Sequence, residues 1–207
     1  MIGCLYGHLE TSISFVMVET LSSETRGGAW RQPDLTPRDW LDAGQSLLKR
    51  GGLKALKLRP LADELRVSTG SFYHHFPDFD GYQGRLAGYF AEAQITDLIA
   101  AVSRSEADPI ARIRLLSALT VRHRLARLAL AMRAWGESDP RAKAAVDRHD
   151  DIVLGFLTRC LAEAGFAEHE AGLRAYALIA CGLGQIHAPD LRRGDLTGDL
   201  LRLLCTR

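Results

Sequence analysis

The chain has 207 residues, of which 47% are hydrophobic and 25% are charged, and this composition excludes a disordered chain and a membrane protein. Its formal net charge is only +1, so attraction to a nucleic acid would have to come from a local basic surface. The length is sufficient for one or two domains with a substantial core.

Residues 1–33 do not share the helical pattern of the rest of the chain. The apolar run at residues 13–18 is too short to span a bilayer and follows no basic segment, so we expect no signal peptide. The polar, glycine-containing stretch after it predicts a flexible arm. An alternative is that Arg26 and Arg31 contact a DNA minor groove, as the arms of some DNA-binding proteins do.

The first well-defined helix is predicted to begin after Thr36. Thr36 is placed to cap the helix, Pro37 suits its first position, and Asp39 lies where an acidic residue completes a capping box. Gly51 and Gly52 are predicted to end it.

Residues 58–76 predict two short helices joined by a tight turn. In the first, leucines and an alanine spaced at i, i+3, i+4 and i+7 form a buried face. Ser68 is expected to cap the second helix through its side-chain oxygen, so that this helix begins near Thr69. Phe72 and Phe76 would anchor it from behind. This is the geometry of a helix-turn-helix, whose second helix enters a DNA major groove.

The same residues carry a family resemblance. Residues 67–76, VSTGSFYHHF, match the pattern V-S-x-G-[ST]-x-Y-x-[HY]-F, where the sixth position is aromatic or aliphatic. Together with the helix pair before them, residues 40–76 resemble the DNA-binding domain of TetR-family transcriptional regulators. The resemblance implies a cytoplasmic homodimeric regulator, typically a repressor, that binds a near-palindromic double-stranded DNA operator and responds to a small-molecule effector.

The predicted DNA contacts follow from side-chain chemistry and from the resemblance. Lys57, Ser68 and Tyr73 are expected to contact phosphate, and Thr69, Ser71 and His74 to reach base edges. The full set of predicted DNA-binding residues is Thr36, Lys57, Arg59, Ser68, Thr69, Gly70, Ser71, Tyr73 and His74.

Three residues depart from the family pattern. Lys57 replaces the Ser or Thr that usually caps the helix beginning at Leu58, and it cannot accept a hydrogen bond. Arg66 replaces a frequent glycine at the turn, where a positive φ would cost about 1 kcal/mol. Phe79 stands where the family often has a lysine, so one phosphate contact is expected to be missing.

The remaining chain is predicted to be helical throughout. We expect one connecting helix from residue 79 to about 103, a second at 109–132, and further helices after Pro140, Glu168 and Leu196. Gly182 and Gly184 are expected at a close crossing of the dimer. The predicted fold is therefore all-α, with an arm at 1–33, a three-helix helix-turn-helix domain at 34–84 and a helical dimerisation and ligand-sensing domain at 85–207.

Candidate binding residues in the second half are less specific. Aromatic and soft side chains predict a pocket for the effector, and core packing is the alternative role for Trp135. The predicted pocket residues are His123, Met132, Trp135, Phe156 and Tyr176. The cysteines Cys4, Cys160, Cys181 and Cys205 show no C-x-x-C spacing, and the histidines have no ligand spacing either. We therefore predict a reduced compartment, no metal and no cofactor.

Two other classes of protein are compatible with parts of the sequence. A helical ligand carrier or protein-interaction module that has lost DNA binding is favoured by Phe79 and by the near-neutral charge. An α-helical enzyme would need a buried titratable pair in a cavity of the second half. Because the sequence shows neither a nucleophile–base pattern nor a phosphate-binding glycine loop, no catalysis is predicted.

Overall fold

A computed structural model of the chain describes residues 35–187 and 196–206, and all regular structure in these ranges is helical. The all-α prediction is therefore confirmed. The predicted N-terminal arm at 1–33, including Arg26 and Arg31, lies outside the described residues.

Three helices form the first part of the described chain: α1 (Pro37–Gly51), α2 (Leu58–Leu65) and α3 (Thr69–Phe72). The predicted capping box opens α1, because the Asp39 N–H donates to Thr36 Oγ1 at 3.4 Å and the Thr36 N–H donates to Asp39 Oδ2 at 2.7 Å. Gly52, with φ of 62°, ends the helix. A short 3-10 turn, Leu53–Ala55, leads into α2.

Seven helices follow, and three of them begin at an aspartate whose side chain accepts a backbone N–H: Asp78, Asp108 and Asp139. Their ranges are α4 (Phe79–Ala91), α5 (Ala93–Ser105), α6 (Pro109–Arg122), α7 (Leu125–Gly136), α8 (Pro140–Glu163), α9 (Glu168–His187) and α10 (Leu196–Cys205).

Two helices predicted to be continuous are each broken, and both predictions were wrong in this respect. The predicted connecting helix divides into α4 and α5 at Glu92, where φ is −120° and ψ is −59°. The predicted helix at 109–132 divides into α6 and α7 at Arg124, which has a left-handed φ of 52°. The first break lets α4 and α5 both contact α8, and the second lets α7 pack against α1 and α8. Tertiary packing therefore overrides a continuous apolar pattern.

A single core joins the first three helices to α4, α7 and α8. Trp40, Phe72 and Tyr82 contribute its aromatic part, and Met132 and Trp135 reach it from α7. The predicted domain boundary between residues 84 and 85 falls within α4. The helix-turn-helix is consequently held on a surface that the second half of the chain helps to build.

Candidate nucleic-acid interface and cavity

The second helix of the helix-turn-helix is anchored by phenylalanines. Phe72 and Phe76 are 0% and 1% exposed, their rings stack at 5.2 Å, and Phe72 also meets the Trp40 ring edge-on at 5.4 Å. Tyr73, next along the chain, is 59% exposed, and His74 is exposed as well. Because aromatic contacts fix the back of this segment, its outer side keeps a defined orientation, as the sequence predicts.

The predicted DNA-binding residues all lie at the surface, where solvent or a ligand can reach them. Ser71 is half-buried, and the other eight are exposed: Thr36, Lys57, Arg59, Ser68, Thr69, Gly70, Tyr73 and His74. The neighbouring His75 is half-buried, with its ring centre 6.4 Å from that of Trp40, so it belongs to the packed side.

Ser68 departs from its predicted role as a side-chain cap. It occupies the cap position of α3 with an extended backbone, ψ 154°, but its hydroxyl makes no capping hydrogen bond. The Ser68 carbonyl accepts the Ser71 N–H at 3.1 Å instead, because α3 is a single turn closed by backbone bonds. The Ser68 side chain is exposed.

The other departures from the family pattern are accommodated locally. Arg66 has a left-handed backbone, with φ 57° and ψ 40°, so the cost considered for this position applies, and Lys57 makes no side-chain cap. Phe79 is half-buried, with its ring centre 6.1 Å from that of Phe72, so it extends the aromatic cluster. Asp80, one residue later, is held by the guanidinium of Arg141 from α8 at 2.8 and 2.9 Å.

A cavity of about 730 Å³ lies among the helices of the second half, within the size range of small-molecule sites. Its walls are mainly leucine, isoleucine and valine side chains contributed by α4 to α10. Phe90 of α4 and His149 of α8 stack there at 4.6 Å between ring centres. The apolar walls favour an organic ligand over a hydrated ion.

An arginine–aspartate pair interrupts this apolar lining. Nη2 of Arg133 on α7 donates to both carboxylate oxygens of Asp150 on α8, at 2.7 and 2.8 Å. The Nε of Arg133 is buried and has no hydrogen-bond partner. Burial opposes ionisation of Asp150, but hydrogen bonds from His149 and Arg133 outweigh it and hold the pKa of this carboxyl below its usual value. Arginine does not exchange its proton at neutral pH, so the pair is suited to binding rather than to acid–base catalysis.

None of the five predicted pocket residues lines this cavity. Met132 and Trp135 are buried in the core beneath α1, and Phe156 is 3% exposed. Tyr176 is 67% exposed, and His123 is half-buried at the end of α6. Burial, then the charges of Arg122 and Lys49, lower the pKa of His123.

The sequence contains one indication of the Arg133–Asp150 pair, which was not predicted. Arg133 is one of two charged residues, with Arg127, in the otherwise apolar sequence of α7, residues 125–136. Asp150 gave no signal, since it is one of several acidic residues on α8 and its partner lies on another helix. A pairing between helices cannot be derived from the spacing within either of them.

Two general features bear on partners. Within residues 35–187 and 196–206, no cluster of three or more metal-ligating side chains occurs. In the same ranges, none of the helices combines the length and hydropathy required to cross a membrane.

Comparison with known proteins agrees with this geometry. Residues 41–78 match the family model described as bacterial regulatory proteins, tetR family. No curated protein matches the chain.

Three solved structures share its fold. A transcriptional regulator from Rhodococcus sp. Rha1 has a TM-score of 0.64 and 21% identity over 83% of this chain and 94% of its own. E. coli NemR in its reduced form has a TM-score of 0.65 and 19% identity, over 81% and 94%. Thermus thermophilus FadR, a TetR-family repressor in complex with lauroyl-CoA, has a TM-score of 0.51 and 20% identity, over 81% and 92%. Residues 41–78 therefore carry the helix-turn-helix of the tetR family of bacterial regulatory proteins, and the chain shares the fold of these three solved structures.

Proposed function

We propose that the chain is an effector-responsive transcriptional repressor that binds a near-palindromic DNA operator as a homodimer. The observation that carries this proposal is the surface of residues 68–74. Its hydroxyls, tyrosine and histidine are at the surface, while Phe72 and Phe76 fix it from behind. A rigid polar segment of this kind, following a helix and a tight turn, suits insertion into a major groove.

The proposed contacts divide into two classes. Lys57, Ser68 and Tyr73 would bind phosphates and so set the orientation of the head on the duplex. Thr69, Ser71 and His74 would reach base edges and supply sequence preference. Thr36 and Arg59, both exposed, would add phosphate contacts at the edges of the interface.

The proposed dimer interface lies on α9. Leu173 and Tyr176 are 58% and 67% exposed, and Ala180 and Gly184 fall on the same side of the helix. A Cβ added at Gly184 would meet nothing within 4 Å in the protomer, so close approach by a second copy would explain this glycine. Exposed apolar stripes of this kind mark interfaces.

We do not assign Gly182, the other glycine predicted at the dimer crossing, to this interface. It lies among the residues that line the cavity, on the opposite side of α9 from Leu173, because nine residues correspond to two and a half helical turns. The proposed crossing therefore involves Gly184 alone.

A small-molecule effector is proposed to occupy the cavity. Phe79 at the start of α4 joins the aromatic cluster under the helix-turn-helix, and Phe90 near its end lines the cavity. A ligand that binds one position of α4 more tightly than another would shift the heads relative to the operator, since only differential affinity can move such an equilibrium. The lauroyl-CoA complex of FadR shows that a protein of this fold binds such a molecule.

The DNA-binding proposal can be tested by fluorescence anisotropy with labelled DNA from the promoter region of the protein's own gene. We expect binding that weakens steeply as salt rises. Tyr73→Ala and Lys57→Ala should both weaken it, and Lys57→Ala should also reduce the slope of log K against log salt by about 1.

Lys143→Ala is the matched control, because Lys143 is an exposed lysine on α8 whose loss changes the net charge by the same amount. It should leave affinity and salt slope unchanged. Absence of binding even at low salt would favour the second candidate function, a helical ligand carrier. That candidate draws support from Phe79, which packs among aromatic rings where the family often has a phosphate-binding lysine.

A further inference from the structure

Two oppositely charged side chains of the cavity wall compensate each other. Arg133 and Asp150 both line the cavity, and their side chains are 25% and 32% exposed. Nη2 of Arg133 donates to both carboxylate oxygens of Asp150, at 2.7 and 2.8 Å. Because the guanidinium and the ionised carboxylate carry opposite unit charges at hydrogen-bonding distance, the pair has no net charge.

The other charged side chains of the lining are surrounded by water. Arg124 and Arg127 are both exposed. Water and dissolved ions screen a charge in such a position, so its attraction for a buried ligand is weak. Among the described lining residues, Asp150 is the one carboxylate, and none is a lysine. A ligand inside the cavity therefore meets no buried arginine or carboxylate that lacks its counter-ion.

The uncharged polar groups of the lining are few and partly occupied. The Thr120 hydroxyl donates to the Leu116 carbonyl of its own helix at 2.9 Å. His149 stacks on Phe90, and its Nδ1 lies 3.4 Å from Asp150 Oδ1. Apolar side chains form most of the remaining wall. A ligand with a net charge would lose hydration there without gaining a counter-ion, and an uncharged ligand avoids this cost.

We propose that the effector is an uncharged organic molecule with a largely apolar body, and that the Arg133–Asp150 pair sets this selectivity because each charge compensates the other. This inference rests on the proposed function, in which the cavity is the effector site. An unpaired charge at either position would select a ligand of the opposite sign. The selectivity is therefore a property of the pair as well as of the apolar walls.

The test uses three probes that share one apolar chain and differ in the charge of the head: octanol, octanoate and octylamine. Their affinities for the full-length protein are measured by isothermal titration calorimetry at pH 8, where octanoate is an anion, octylamine is a cation and an ordinary imidazole is mostly neutral. Octanol should bind about tenfold or more tightly than either charged probe, since only the charged heads lose a favourable hydration.

Two single variants should reverse this order by removing one charge of the pair. Asp150→Asn leaves the guanidinium of Arg133 without its counter-ion and should raise octanoate affinity about tenfold. Arg133→Gln leaves the Asp150 carboxylate and should raise octylamine affinity by a similar factor. Octanol affinity should change by no more than about twofold in either variant, because its head carries no charge.

Three further variants serve as controls. Arg133→Gln combined with Asp150→Asn removes both charges and should keep the order of the unaltered protein, with octanol first. Asp147→Asn and Lys143→Gln each make the same charge change in an exposed ion pair of α8, and should leave all three affinities unaltered. Circular dichroism establishes that each variant is folded.

The inference is overturned if octanol fails to bind, or if octanoate or octylamine binds the unaltered protein as tightly as octanol does. It is also overturned if folded Asp150→Asn shows no gain in octanoate affinity relative to octanol. These results would leave the DNA-binding proposal intact, since the anisotropy titration contains no amphiphile. Absence of salt-dependent DNA binding, with octanol still preferred by the cavity, would instead contradict the proposed function and retain this ligand class.

Discussion

At the scale of single residues, Gly44 shows how closely α1 and α4 approach. A Cβ added there would lie 2.0 Å from the Tyr82 hydroxyl and 3.0 Å from Leu86 Cδ2. The hydroxyl cannot easily move, because it donates a hydrogen bond to the Trp40 carbonyl at 2.8 Å and is buried. The absence of a side chain at Gly44 is therefore a condition for seating the helix-turn-helix on α4.

We predict that Gly44→Ala lowers the free energy of unfolding by about 1–3 kcal/mol through overpacking. Gly88→Ala is the control, because this glycine lies within α4 and an added Cβ would meet nothing within 4 Å. The control should stabilise the protein by about 0.5–1 kcal/mol through helix propensity. Urea denaturation followed by circular dichroism measures both, and equal effects of the two substitutions would refute the close-crossing argument.

Helix caps and turns were the features most readily predicted from the sequence. The capping box at Thr36 is confirmed, and the turn position at Arg66 has the positive φ that was considered for it, since each depends on residues within a few positions. The side-chain cap at Ser68 was wrong because it presumed a longer helix than the single turn of α3. Capping patterns predict where a helix begins but not how long it runs.

At the scale of helices, two tyrosines of α4 connect it to α1. The Tyr82 hydroxyl donates to the Trp40 carbonyl, and burial raises the pKa of this phenol. The Tyr89 hydroxyl donates to Asp42 Oδ1 at 2.8 Å. Burial first, and then the hydrogen bond and charge of Asp42, raise the pKa of Tyr89 to about 12, against the opposing charge of Arg38. Both contacts require the protonated phenol.

The α1–α4 contact should therefore weaken in alkali. Below pH 10 the phenols are protonated in both folded and unfolded chains, and the stabilisation is complete. Between pH 10 and 12 the unfolded chain loses the Tyr89 proton while the folded chain keeps it, so the free energy of unfolding falls as pH rises. We expect Tyr89 to account for about 1–2 kcal/mol, allowing for its partial exposure.

The measurement is urea denaturation at a series of pH values without DNA, with Tyr89→Phe and Tyr73→Phe compared with the unaltered protein. Tyr89→Phe should reduce the alkaline loss and leave the part contributed by Tyr82. Tyr73→Phe makes the same chemical change at a side chain that is 59% exposed, and should leave the curve unaltered. An identical pH dependence in all three proteins would contradict the assignment.

The sequence predicted which segments are helical, but it did not predict where two of these helices are interrupted. Neither Glu92 nor Arg124 is a glycine or proline, and apolar residues continue through both breaks. The breaks depend on how neighbouring helices pack against α8 and α1, which is a property of the assembled fold. Periodicity within one segment contains no information about that packing.

At the scale of the whole molecule, the proposed dimer makes a direct prediction. A double substitution, Leu173→Glu with Tyr176→Glu, would place charges in the proposed α9 interface and should convert a dimer into a monomer. Analytical ultracentrifugation measures the change. Ala118→Glu adds a charge to an exposed position of α6 and should leave the association state as it was. Persistence of the dimer in the double variant would show that α9 is not the interface.

The cavity was the part of the molecule least accessible from sequence. The aromatic and soft residues that suggested a pocket, Met132 and Trp135, face the core, while the adjacent Arg133 faces the cavity. Which side of α7 meets the core depends on where α1 and α8 lie. Large apolar side chains therefore indicate the face of a helix that packs in the core. They do not indicate the face that lines a cavity, where Arg133 lies.

The contact of Arg141 with Asp80 links α8 to the start of α4. Arg141, in the first turn of α8, donates hydrogen bonds to the Asp80 carboxylate beside the helix-turn-helix. Asp150 lies nine residues further along α8, which is about 14 Å along the helix axis. A continuous helix holds these two points at a fixed separation through its backbone hydrogen bonds. A displacement of α8 at the Arg133–Asp150 pair would therefore be carried along one rigid element to the contact with Asp80, in addition to any movement of α4.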